Sequence, residues 1–129
     1  MFAVDTNVVI RYLVNDDQQQ AARARALVDA GTVWVSKTVL LECAWVLEAV
    51  YEFGRKDIVA ALEAFLGLAT VQVEDEAIVA RALAGARSGM DLADALHVAC
   101  TPPEAEAFLT FDRTLIRKRP RVPPVRTVP

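Results

Sequence analysis

Aromatic side chains make up only 7% of the 129 residues, and there are five glycines, two cysteines and a single histidine. Two cysteines cannot staple a small disulfide scaffold, and without a CxxC or a His-rich stretch there is no sulfur-and-nitrogen zinc set. Cys43 and Cys100 each lie in an apolar helical pattern. They read either as a disulfide pair or as small buried thiols of a reduced compartment, the second being the expectation. No GxGxxG, Walker loop or GxSxG occurs, which removes Gly-rich phosphate cradles and the serine hydrolase elbow. Long uncharged apolar runs are also missing. Met1 to Val14 contains Asp5 and Arg11 and lacks a basic leader, and Val33 to Tyr51 carries Lys37, Glu42 and Glu48. The expectation is a soluble cytoplasmic protein without a membrane anchor.

What is present is small and aliphatic. The chain is 54% hydrophobic, with 22 alanines and 18 valines, and its mean hydropathy is +0.29. Such a mixture suits helices packed closely on a buried sheet and excludes disorder. The length predicts one domain over residues 1–129. Net charge is −3, but it is unevenly spread. Residues 113–129 form a proline-rich segment with six basic side chains and no acid, leaving eight basic and 17 acidic residues, a net of −9, in residues 1–112. That basic end reads either as a solvated tail or as a phosphate-contacting flank beside an acidic centre. On the second reading Arg113, Arg117, Lys118, Arg119 and Arg121, together with Arg11, are candidate phosphate contacts.

Short apolar runs alternate with helical patterns. Strands are predicted over Phe2–Val4, Val33–Val35, Val71–Val73 and Phe108–Phe111, with an edge strand at Val125–Val128. Helices are predicted from the turn after Asp5 to Leu13, from Asp16 to Ala30, and from Lys37 to about Phe53 with Ser36 as cap and Gly54 as stop. Three more are predicted over Lys56–Leu66, to Arg87 after an acidic Glu74-Asp75-Glu76 start, and over Asp91–Ala99. This alternation predicts an α/β sandwich around a short-stranded, mainly parallel central sheet, in which ligands sit beyond the carboxyl ends of strands. Asp5 and Asp112 stand at such ends.

Each acid has two readings. Asp5 and Asp112 suit helix caps at strand–helix junctions, Asp91 suits an N-cap, and Asp94 suits a first turn facing the dipole. Glu42 is the one charge in Val39–Leu47, so it is either buried with a partner or part of a solvated stripe. If the acids converge, two like charges about 4 Å apart repel by roughly 4 kcal/mol at an effective dielectric near 20. A divalent cation relieves that repulsion, and oxygen-only ligands select Mg²⁺ or Mn²⁺ over zinc. His97 reads as packing along its helix, with a base as the alternative. A phosphatase of the haloacid-dehalogenase type needs a second Asp two residues after the first, where Asn7 stands.

Val4-Asp5-Thr6-Asn7, Leu41-Glu42, Leu92-Ala93-Asp94-Ala95-Leu96-His97 and Leu109-Thr110-Phe111-Asp112 occur in this order. Together they resemble PIN-domain ribonucleases, and most closely the VapC-type toxins of prokaryotic toxin–antitoxin pairs. The resemblance implies a PIN-like α/β/α sandwich. It implies an acidic quartet of Asp5, Glu42, Asp94 and Asp112 holding Mg²⁺ or Mn²⁺, with Asp5, Asp94 and Asp112 as ligands and Glu42 orienting water. Thr6, Asn7 and Thr110 match supporting positions, and Asp91 is either a helper or only a cap. The activity implied is hydrolysis of a phosphodiester in structured RNA, such as tRNA or rRNA, leaving a 5′-phosphate and a 3′-hydroxyl. A small VapB-like antitoxin and a homodimer are the implied partners, with the Ala21–Ala30 and Lys37–Phe53 helices as candidate interfaces. A PIN-like module that binds RNA or protein without catalysis is the alternative.

Overall fold

The structure, a computed structural model, describes residues 1–118 and 123–129. Among these it contains seven helices and five short strands, and every strand pairing is parallel. The α/β class expected from the sequence is therefore present. The chain forms two compact units, Met1–Glu76 and Ala77–Pro129.

In the first unit, β1 (Phe2–Ala3), β2 (Val33–Val35) and β3 (Val71–Val73) pair in the order β1-β2-β3. Helices α1 (Thr6–Leu13) and α2 (Gln18–Ala30) connect the first pair, and α3 (Lys37–Ala49) and α4 (Arg55–Leu66) the second. Parallel neighbours require such crossovers. Phe2 stands opposite Val33, and Val33 opposite Val71. Val33 and Val35 on the central strand are fully buried, as are Val9, Leu47 and Leu62 from three of the helices. Phe65 packs with them, its ring 5.2 Å from that of Tyr12 at 58°.

Caps set most helix starts. Asp5, Asp17 and Ser36 each accept a hydrogen bond from the amide three residues on, of Val8, Gln20 and Val39. A bond of this kind contributes about 1 kcal/mol. Two expectations are corrected. Helix α3 ends at Ala49, short of Phe53, because Glu52 turns to φ 57° and the Phe53 amide reaches back to the Leu47 carbonyl at 2.9 Å. Gly54 then starts α4 instead of stopping α3. Glu74 does not sit at the head of the helix that follows it. Its Oε2 accepts from the Lys37 amide at 2.9 Å, while Lys37 Nζ pairs with Asp75 at 2.6 Å.

The second unit contains α5 (Glu76–Arg87, from its second residue), α6 (Leu92–Ala99), β4 (Phe108–Thr110), α7 (Arg113–Lys118) and β5 (Val125–Thr127). Strand β5 pairs with β4, Leu109 opposite Arg126. Helix α7 was not expected, because its basic letters read as flank. It takes only six residues, begun by Asp112 and anchored by buried Leu115. The turn between α5 and α6 uses Gly89 at φ 109°, and a side chain at Gly85 would meet Met90 Sδ at 3.2 Å. Arg119 and Arg121 lie outside the described residues.

Phe65 is only 1% exposed. Phe65→Ala is expected to lower the unfolding free energy by about 3–5 kcal/mol, through lost transfer energy and a residual cavity. Urea unfolding followed by circular dichroism measures it, and a loss under about 1 kcal/mol would remove Phe65 from the core.

Candidate functional site

Asp5 lies two residues beyond the end of β1. The Val4 amide donates to the Trp34 carbonyl at 3.0 Å, so the ladder runs up to the acid before the chain turns into α1. Asp5 Oδ1 accepts from Val8 at 3.1 Å, and the residue is exposed beside buried Thr6 and exposed Asn7. An ionised carboxylate has two oxygens, so capping through one leaves ligand capacity on the other.

Glu42 lies on α3, which packs against α1. It is exposed, so the buried reading fails: Leu40, Cys43 and Leu47 take the core face while Glu42 and Trp45 face outward. Asp5 and Glu42 nevertheless share a neighbourhood. Both charges act on Cys43, a buried thiol whose Sγ lies 4.0 Å from the Thr6 carbonyl. The first unit thus places two of the four acids around the α1–α3 contact.

The second unit holds the others. Asp91 Oδ1 accepts from the Asp94 amide at 3.2 Å, capping α6 and leaving half-buried Asp94 in its first turn. Asp112 Oδ1 accepts from Thr114 at 2.8 Å and Leu115 at 3.3 Å, while Thr110 Oγ1 accepts from the Asp112 amide at 2.9 Å. Thr110 therefore fixes the turn that presents Asp112. Among the described residues, no three of the His, Cys, Asp and Glu side chains stand together as a group able to hold a metal ion. In chemistry, the carboxylate oxygens of Asp5, Glu42, Asp94 and Asp112 fit a hard divalent cation.

The basic candidates divide. Arg11 is committed inside the first unit: it donates to Gln20 at 2.6 Å, Asp16 at 2.9 Å and the Tyr51 hydroxyl at 3.2 Å. Tyr51 in turn donates to Asp16 at 2.7 Å, and this hydrogen bond holds the Asp16 carboxyl below its ordinary range. Tyr51 is 40 residues from Arg11, so sequence spacing gave no sign of the network. Lys118 Nζ donates to the Gly89 carbonyl at 2.5 Å. Arg113 and Arg117 are exposed. His97 is also exposed and does not pack as expected.

Two depressions in the first unit were not foreseen. One of about 390 Å³ is lined by Asn7, Arg11, Gln20 and Arg23 among others. The other, about 480 Å³, is lined by Phe2–Asp5. Val8 and Leu27 line both, so they adjoin along α1 and α2.

Burial pushes the Cys43 thiol from 9.0 up to about 12, and the charges of Glu42 and Asp5 act in the same direction. The unfolded chain releases this proton first, so from about pH 9 to about pH 12 this group's contribution to stability is lost as pH rises. At pH 8 a thiol-specific disulfide reagent is expected to label exposed Cys100 quickly and buried Cys43 only after denaturation. Fast labelling of both in the folded chain would show that Cys43 is not shielded.

No helix among the described residues is long and apolar enough to cross a membrane. A search of curated proteins returned no match. The sequence does match the PIN domain profile over residues 2–120, a span that holds Asp5, Glu42, Asp94 and Asp112. The chain belongs to the PIN domain family.

Proposed function

We propose that the chain is a Mg²⁺- or Mn²⁺-dependent endoribonuclease of the VapC toxin type. PIN domains are typically metal-dependent nucleases. The observation that carries the reading to this chain is the presence of all four acids, in order, inside the matched span, with Asp5 capping α1 and Glu42 on α3, two helices in contact. Structured RNA such as tRNA or rRNA is the substrate, and a small VapB-like antitoxin and a second copy of the chain are the partners.

The proposed ligands for divalent cations are Asp5 in the first unit and Asp94 and Asp112 in the second. Such an ion, when bound, would supply an activated water and neutralise charge developing on the phosphate. The chain's own residues do the positioning. The amides of Val8, Thr114 and Leu115 hold Oδ1 of Asp5 and Asp112. Glu42, exposed on α3, is suited to orient the attacking water. In-line displacement then leaves a 5′-phosphate and a 3′-hydroxyl.

Asn caps a helix about as well as Asp but lacks the charge, so Asp→Asn separates the two roles at Asp5. Asp5→Asn and Asp94→Asn are expected to retain their melting temperatures without metal. They should lose RNA cleavage by at least about a hundredfold. The assay incubates total tRNA and rRNA with Mg²⁺, Mn²⁺ or EDTA. Discrete fragments with 5′-phosphates, absent in EDTA and in both variants, are the expected result. Cleavage that survives either substitution would contradict the assignment, and a chain that binds RNA without cutting it would be the non-catalytic module.

A further inference from the structure

Phe111 is 82% exposed, the highest value among the large hydrophobic residues. An isolated exposed aliphatic residue needs no explanation, but a Phe held outward by a built turn does. Thr110 Oγ1 accepts from the Asp112 amide at 2.9 Å on one side of Phe111. On the other, Asp112 Oδ1 accepts from Thr114 at 2.8 Å. The residue between is displayed in a fixed place, directly before a candidate acid.

Its surroundings are basic. Arg113 follows it on α7 and is exposed, with Arg117 one turn on. On the paired strand, exposed Arg126 stands opposite Leu109, which is 51% exposed. No acid occurs in residues 113–129. Glu104 and Glu106 belong to the stretch entering β4 at its other end, about 10 Å of strand away from Phe111. An exposed π-face with arginines on the following helix and on the paired strand suits an unpaired base with its phosphates. A duplex keeps its π-faces stacked and has none to offer.

We propose that Phe111 is a stacking platform for an unpaired RNA base beside Asp112, with Arg113 and Arg126 contacting the flanking phosphates. The proposal rests on the nuclease reading above and deepens it: the substrate segment at this acid is single-stranded. Phe111 is a positioning residue, since it fixes the strand relative to Asp112 and takes no part in bond cleavage.

The test measures binding by the full chain in EDTA, where cleavage plays no part. The probes are a short labelled single-stranded RNA and the same sequence as a duplex. Phe111→Ala is expected to weaken single-strand binding about tenfold, equivalent to about 1.4 kcal/mol, and to change duplex binding less than about twofold. Phe111→Tyr, which keeps the ring, should restore it. A 2-aminopurine placed in the single strand should be quenched by the wild type and not by Phe111→Ala. Arg126→Ala should weaken both probes and flatten the salt dependence. Equal binding by Phe111→Ala and wild type, equal loss on both probes, or no single-strand binding by the wild type would overturn the proposal. So would a Phe111→Ala effect confined to self-association, which would make the ring a contact between copies. Failure of the nuclease reading shows elsewhere, as cleavage retained in Asp5→Asn.

Discussion

The constraint on which the rest depends is the carboxylate at the junction between a short strand and a helix. Asp5 and Asp112 each end an extended segment and each accept hydrogen bonds from the first amides of the next helix. The same oxygen that starts the helix fixes where the side chain points. Cap and proposed ligand, which read as rival explanations in the sequence, are compatible: Oδ1 is held by backbone, and Oδ2 keeps its own acceptor capacity. Asp91 extends the scheme by one step, since its cap on the Asp94 amide sets the first turn in which Asp94 sits.

Positioning acids this way has an electrostatic consequence. Residues 1–112 carry a net −9, and acids brought together without a cation repel. Amide donors at helix starts offset part of that repulsion, and a bound divalent ion offsets more. Arg11 is tied to Asp16, Gln20 and Tyr51, and Lys37 to Asp75. The exposed guanidinium groups at Arg113 and Arg126 remain for an anionic ligand. Carboxylates and exposed guanidinium groups on one chain fit the proposed handling of a polyanion through a metal.

Local physics was legible in the sequence where one residue settles it. Ser36 and Asp91 cap the helices they were expected to cap, and Val33–Val35 and Val71–Val73 are strands as read. Long-range physics was not. The apolar letters after Ala49 continue a helical pattern, yet Glu52 takes φ 57° and Tyr51 is bonded into the Arg11–Asp16 pair. Glu42 appeared surrounded by apolar residues because the sequence is linear. On the helix its neighbours are one turn away, and its face carries Trp45, which is 64% exposed. Of the candidate site, the acids and their order could be read from the sequence, while the cap bonds, the Arg11–Asp16–Tyr51 network and the exposure of Phe111 needed the structure.

The central claim is that the same carboxylates both start helices and hold a divalent cation. Titrating Mn²⁺ into the metal-free chain by calorimetry tests it without needing an RNA substrate. Saturable binding is expected in the wild type, weakened at least about tenfold in Asp112→Asn with the melting temperature unchanged. Binding as tight in Asp112→Asn as in the wild type, or none in either, would leave Asp112 a helix cap alone and contradict the account.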